Sequence, residues 1–382
     1  MSNSFFVANC YTYIKHRYLK QIKTLVMEAI SVKELMLVNK SAMAKEINAK
    51  VNAYFSQKKI SKKGNRALFI KTIFFLAGFW LTWWLLIYTD LSVFWKIPLC
   101  FVGAFFASGI GFCIMHDGNH GAFSKSKIKN MLAGATSEFL GVSSGIWKKK
   151  HNVAHHDGVN VLGVDEDIEA WPLLRLHEGQ KRCSVHKFQH WYWPIAYSLL
   201  YFIWPLKDFT KYFSGRVMGE PLRFKISDHV LFWAGKIFFA FVFFWLPIRE
   251  LGFNAWLVGF LIFGGFLGLL LSIVFQPAHV VRGVKNSIVE EARGGDSMEH
   301  QIEHTANFAT NNKFITWWVG ALNFQIEHHV FRRISHVHLP DIHKIVAEEC
   351  KRFDFKIVVF PTFFDAISSH VGKLKDLGQK PK

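Results

Sequence analysis

Apolar residues gather into four runs, each about long enough to cross a bilayer, with polar stretches between them. The first extends from about Leu68 to Tyr88 and the second from about Val93 to Met115, joined by Thr89, Asp90, Leu91 and Ser92. The third extends from His229 to Ile248 and the fourth from Ala255 to Phe275, joined by residues 249–254. Long apolar runs joined by short links predict two helical hairpins in a membrane. Lys71, Lys96 and Lys236 interrupt three of the runs. Each lies within about two turns of an end, where a long side chain reaches the headgroups. A fifth run, Trp191 to Leu206, is shorter, carries Pro194 and Pro205 and is rich in Trp and Tyr. It predicts an interfacial or re-entrant segment.

The polar stretches carry histidines in tight groups. After the second run come His116 and His120, and then His151, His155 and His156. After the fourth run comes His279, and later Gln325, His328 and His329. If these stretches are helical, His116 and His120 share a face, as do His151 and His155, and Gln325 and His329. One such pair is readily explained as two polar residues on a helix face. Several groups on one side of the membrane, two of them tied to the ends of runs, point instead to a metal centre. His116 and His279 each fall just past the end of an even-numbered run, which would place both at one depth. Neutral imidazole binds iron, copper, zinc and nickel, and the five cysteines show no paired spacing of a structural zinc site.

Composition sharpens this picture. The 382 residues are 51% hydrophobic, with 39 Phe, which excludes a disordered chain and an ordinary soluble enzyme. Lys and Arg exceed Asp and Glu by 46 to 28, a balance that without the apolar runs would suggest nucleic acid. With them it is a basic flank on a membrane protein, and no nucleic-acid partner is expected. Residues 1–66 hold 13 Lys and Arg against three Glu, while the hairpin links hold almost none. Basic residues accumulate in cytosolic loops, so both termini and every histidine group are predicted to be cytosolic. The first 30 residues scatter Lys, His and Arg rather than forming a charged tip and a compact apolar core, so no signal peptide is expected. The chain therefore reads as an all-α integral membrane protein. Residues 1–66 form a basic cytosolic segment, 67–115 and 229–275 the transmembrane hairpins, and 116–228 and 276–382 the cytosolic regions carrying the histidines.

These motifs resemble the membrane fatty acid desaturases with three histidine boxes. The resemblance runs from Val51–Phe55 to Ser335–His338, and the segments Trp147–Asp167 and Gln301–Phe331 are similar to linoleoyl-CoA desaturases. It implies four transmembrane helices capped by a cytosolic helical domain with a di-iron site, O2 as co-substrate, and an acyl chain in a tunnel beneath. The matched iron ligands would be His116 and His120, His151, His155 and His156, His279, and His328 and His329. Gln325 stands where many members have His, a variation similar to the front-end desaturases; it would bind iron directly, bind through water, or hold a neighbouring ligand. Arg332 stands where the family usually has Pro. No His-Pro-Gly-Gly haem signature is present, so electrons would come from a separate ferredoxin or cytochrome b5. Residues 1–66 and Lys148–Lys150 would dock such an acidic donor or contact anionic lipid, and the juxtamembrane setting favours lipid. The substrate would be an acyl-CoA or acyl-lipid, in a bacterial inner membrane or the ER membrane.

Taking hydrogen from an unactivated methylene needs an oxidant, which a metal cofactor supplies while the protein supplies geometry and a dry pocket. Asp117, Asp157, Asp165, Asp167, Glu299, Glu303 and Glu327 are candidates to accept the second imidazole N–H of a ligand. Trp147, Trp171, Trp317 and Trp318 are candidates for the tunnel walls or for interfacial packing. His300, His304, His336, His338 and His343 are set aside as surface or supporting residues. Two alternatives keep a metal: a lipid hydroxylase or ketolase, and a metal transporter, which would need ionisable residues lining a path inside the spans.

Overall fold

The computed structural model describes Leu35, Leu37, Val38 and residues 40–379. The expectation for the first 30 residues, and Cys10 with it, lies outside them. The architecture is helical. An initial helix α1 (Ala42–Lys58) precedes α2 (Arg66–Tyr88) and α3. Helix α3 begins as Val93–Gly109, widens into a π-helical turn over Ile110–Met115 and closes over His116–Asn119. Then follow α4 (Lys127–Phe139), α5 (Ser144–Lys149) with a π-helical turn at Lys150–His155, α6 (Gln189–Ser198) and α7 (Leu200–Ser214). Helix α8 runs over Ile226–Leu251 and α9 over Phe253–His279. The last stretch carries α10 (Val289–Ala292), α11 (Ser297–Glu303), α12 (Lys313–Trp318), α13 (Gln325–Val330), α14 (Leu339–Arg352) and α15 (Phe363–Gly378). Two small two-stranded sheets complete it: β1 (Arg216–Val217) pairs antiparallel with β2 (Glu220–Pro221), and β3 (Ala306–Phe308) pairs parallel with β4 (Val358–Phe360).

Helices α2, α3, α8 and α9 are long and apolar enough to cross a membrane, as the hydrophobic runs predict. Their bounds correct those of the runs. The second and fourth spans do not stop at Met115 and Phe275; α3 continues unbroken to Asn119 and α9 to His279. His116 and His279 therefore sit on the last turns of the spanning helices rather than beyond them. The link between α8 and α9 is Gly252 alone, at φ 79°, a left-handed conformation that glycine adopts without strain. Along α3, Gly103, Ala104, Ala107 and Ser108 are buried, and these small side chains let α9 pack close, with Phe263 beside Gly103 and Leu271 beside Gly111. On the outer faces Ile73, Trp84, Phe94, Ile237 and Leu261 are exposed, a surface suited to lipid.

Two lysines behave differently from expectation. Lys71 and Lys236 do not reach outward but are 8% and 6% exposed. Lys71 Nζ donates to the Trp317 carbonyl at 2.9 Å, and Lys236 Nζ donates to Asp208 Oδ2 at 2.7 Å and to the Gly141 carbonyl at 2.6 Å. A buried ammonium is tolerated because each finds carbonyl or carboxylate partners. The fifth apolar run forms α6 and the start of α7, with a break at Leu199, and Pro194 and Pro205 lie inside the helices. Over the histidine-bearing end, α1 packs Ile47, Val51 and Phe55 against Ile342 and Val346 of α14.

Candidate metal centre

The first histidine pair is set by the end of α3. Gly118 lies between His116 and His120 where α3 crosses α4, and a Cβ there would meet the Gly134 nitrogen at 2.4 Å. Only glycine allows that approach, and so the HDGNH run has it. The second group is set by α5, which starts at N-cap Ser143; the Ser143 N–H is itself held by Asp208 Oδ2 at 2.6 Å. The π-helical turn that follows corrects the α-helical reading of this box. It brings His151 and His156, five residues apart, within 3.2 Å at their Nε2 atoms, while His151 and His155 rings stack at 5.1 Å. π-Bulges of this kind recur at functional sites. The third group is carried by α13, and His279 by the last turn of α9.

All eight histidines are buried and converge. One ligand atom each of His116, His120, His151 and His328 lie within 4.8 Å of one another, as do those of His155, His279 and His329. His156, His328 and His329 form a third such group that joins these two. His116 Nε2 and His151 Nε2 are 3.2 Å apart. Imidazoles bound to one ion at bonds of about 2.1 Å have nitrogens roughly 3 Å apart, so this spacing suits a shared ion. His120 Nε2, His156 Nδ1, His279 Nδ1, His328 Nε2 and His329 Nε2 are buried without a hydrogen-bond partner. Buried nitrogens in such number are costly unless something binds them. Burial pushes His120, His151, His156, His328 and His329 well below the usual imidazole range, leaving them neutral and ready to donate lone pairs. The donor set thus fits a metal site. Gln325 is buried at the start of α13, one turn ahead of His329.

Of the seven candidate orienting carboxylates, Asp165 and Asp167 reach a histidine of the cluster through a side chain. His155 Nδ1 lies 3.0 Å from both Asp165 oxygens and 3.4 Å from Asp167 Oδ2. Against burial, which pulls His155 down, these carboxylates hold it above its usual value. Asp165 is fixed by the Asn160 and Asp167 N–H groups, each at 2.9 Å. The others serve elsewhere: Asp117 holds Ser335 at 2.6 Å, Glu327 holds His343 at 2.9 Å, Asp157 binds Arg332 at 2.6 Å and Glu303 binds Lys285 at 2.6 Å. Glu299 is partly exposed on α11. Gln301 carries no motif signal, yet His329 Nδ1 donates to its Oε1 at 2.8 Å while its Nε2 donates to the His156 carbonyl at 2.7 Å. His300 and His304, both buried, stack on one another at 3.9 Å.

Trp147 stacks on His151 at 4.2 Å and begins the wall of a cavity of about 340 Å3. His151 and Asp167 line one part of it, and Leu174, Leu200, Trp204 and Phe275 line apolar parts. Trp171 lines it too, whereas Trp317 and Trp318 pack against Phe75 and Phe105. Lys149 pairs with Glu220 at 3.6 Å and Lys150 with Asp167 at 2.5 Å, so two of the three lysines of the run are engaged within the protein.

The fatty acid desaturase profile matches residues 94–361. The chain belongs to this family. The desaturase is 33% identical over 346 residues to an sn-1 linoleoyl-lipid 6-desaturase of Arthrospira platensis, covering 88% of this chain and 93% of that protein. A protein of the same name from Synechocystis is 29% identical over 363 residues, covering 92% and 99%, and an acyl-lipid (8-3)-desaturase of Physcomitrium patens is 33% identical over 348 residues, covering 87% and 71%. The desaturase is thus a membrane oxidoreductase that introduces double bonds into fatty acyl chains, and metal transport is set aside.

Proposed function

We propose that this desaturase is a front-end enzyme acting on the acyl chain of a membrane lipid, with two iron ions held by His116, His120, His151, His155, His156, His279, His328 and His329. Bound there, the ions would supply the O2-derived oxidising power that an unactivated methylene demands. The observation that carries this reading is the shared wall: His151 and Asp167 belong both to the histidine cluster and to an otherwise largely apolar cavity. A chain lying along Leu200, Trp204 and Phe275 is led to the ligands and kept from water by Trp147. Asp165 and Gln301 hold His155 and His329 in one orientation. Gln325 is assigned a supporting place at the start of α13. The front-end reading rests on Gln325 and on relatives named for position 6 of a linoleoyl lipid, a chain that already carries double bonds. The histidine-bearing end faces the cytosol, where a separate ferredoxin or cytochrome b5 delivers electrons.

The test is the fatty acid profile of a bacterial host expressing the chain with a ferredoxin and its reductase, read by gas chromatography and mass spectrometry with double-bond localisation. A new double bond between an existing one and the carboxyl end is expected in the lipid fraction. A hydroxylated product, or a double bond beyond the existing ones, contradicts the proposal.

A further inference from the structure

Part of the wall of the cavity that reaches His151 carries a polar pair among aliphatic neighbours. Leu174, Leu176, Ala196 and Leu200 line this part, and the buried Tyr197 of α6 stands with them. The Tyr197 hydroxyl lies 2.7 Å from Nε2 of His370, on α15. Nδ1 of His370 lies 2.7 Å from the Val280 carbonyl. A carbonyl only accepts, so Nδ1 carries the proton, Nε2 offers its lone pair, and the tyrosine O–H donates to it. Both ring nitrogens are thereby used, which leaves the fully buried imidazole one tautomer and one orientation. The two rings also stack at 5.7 Å, with the Trp193 indole edge-on to both.

Two observations separate this pair from ordinary packing. Helix α15 is docked without it: Leu374 and Leu377 are buried in one cluster with Leu174 and Leu176, the Leu374 carbonyl accepts from Gln189 Nε2 at 2.7 Å, and the Leu377 carbonyl accepts from Arg175 Nη1 at 2.7 Å. Burying a tyrosine hydroxyl and an imidazole costs desolvation that an aliphatic pair would not. Fully bonded, the pair returns a defined orientation instead. The second observation is where the pair leads. Val280 directly follows His279 and closes the last turn of α9, its N–H donating to the Gln276 carbonyl at 2.8 Å. Gln276 lines the same cavity and donates to the Asp167 carbonyl at 3.0 Å. Two hydrogen bonds in series, through Tyr197, His370 and Val280, thus join the cavity wall to the end of α9 that carries His279.

We propose that Tyr197 and His370 form a clamp that holds the α6 wall of the acyl cavity at one setting relative to the histidine cluster, and so determine which carbons of the chain come to rest beside His151. Tyr197 lines the chain's path and is the specificity-determining residue. His370 acts through Tyr197 and is a positioning residue. This rests on the reading of the cavity as the acyl site, and adds to it what fixes the register of the chain there. An alkyl chain offers no hydrogen-bonding group along its length, so its register depends on the shape of the walls. A tyrosine ring free to change rotamer admits the chain in more than one register, whereas a clamped ring admits one.

The experiment gives a linoleoyl-containing diacyl lipid to the full-length protein in nanodiscs with its redox donor. Double-bond position is read by gas chromatography and mass spectrometry, beside kcat, KM, metal per protein and melting temperature. Tyr197→Phe and His370→Asn break the bond between the two rings, the asparagine amide still reaching the Val280 carbonyl from the Nδ1 position. His370→Gln places an amide oxygen near the Nε2 position, where it accepts from Tyr197. Tyr197→Phe and His370→Asn are expected to raise KM roughly fivefold, the worth of one hydrogen bond, by more than they lower kcat, and to yield a second positional isomer with metal content unchanged. His370→Gln is expected to keep a single isomer. One isomer from all three variants, or activity losses that only track the melting temperature, overturn the clamp and leave the acyl-lipid reading standing. A wild-type enzyme that makes no product from the linoleoyl lipid overturns that reading and the clamp together.

Discussion

His155 is held from behind. Asp165 receives its Nδ1–H, and two backbone N–H groups fix Asp165 in turn. Carboxylates placed in this way set the tautomer and basicity of a ligand, and their loss typically weakens metal binding about 10- to 100-fold. Asp165→Asn is therefore expected to purify with less bound metal while remaining inserted, measured as metal per protein by mass spectrometry. His155→Ala should abolish product altogether; retained activity would remove the second box from the site. Glu138 gives a prediction of another kind. Burial pushes its carboxyl from 4.5 up to about 8, with Oε1 accepting from the Ser144 N–H and Oε2 unpaired. Folding thus favours the protonated acid, and that contribution is complete below about 4.5 and lost as pH rises through about 8. The melting temperature of the solubilised protein should fall between pH 6 and 9, and Glu138→Gln should flatten that fall.

At the scale of elements, the boxes were legible as spacings but not as shapes. The four-residue intervals placed His116 with His120 and His151 with His155. The approach of His156 to His151 depends on a π-helical turn, whose five-residue closure the four-residue spacing rule does not anticipate. Gln301 was illegible for a similar reason: its role arises from α11 lying against α13, a tertiary contact without a local pattern. Arg332 was visible only as a departure from the family. In the structure its Nη1 donates to the Asn152 carbonyl at 2.7 Å and to Asp157 Oδ1 at 2.6 Å, tying the chain after α13 to the second box. Both partners are partly exposed, so Arg332→Ala is expected to cost only about 1 kcal/mol in thermal or denaturant unfolding. Helix α1 is held more firmly. Ile47 is fully buried against α14, and Ile47→Ala should cost about 2–5 kcal/mol.

For the whole molecule, hydropathy alone located four spans and two hairpins, because membrane length and the need to satisfy every backbone group leave few other solutions. What it misjudged was where the membrane helices stop and what happens to charges inside them. Lys71 and Lys236 read as surface-seeking because their partners, the Trp317 and Gly141 carbonyls and Asp208, lie far away in sequence. Orientation was read from basic residues, and cysteine labelling in whole bacterial cells checks it. Ser92→Cys and Asn254→Cys, both at exposed positions in or beside the hairpin links, should react with a membrane-impermeant thiol reagent, and Arg333→Cys should not until the membrane is opened.

The unbroken run of α3 and α9 from the hydrocarbon into their ligands has a consequence for which changes this chain can absorb. In a continuous helix one added residue advances everything beyond it by about 1.5 Å and turns it by about 100°. A single insertion inside α3 would therefore swing His116 and His120 off the cluster, and one inside α9 would do the same to His279. Insertions in the 89–92 link would leave both register and height intact. Length variation should accordingly be confined to the links and the surface loops, with the two ligand-bearing spans fixed to the residue.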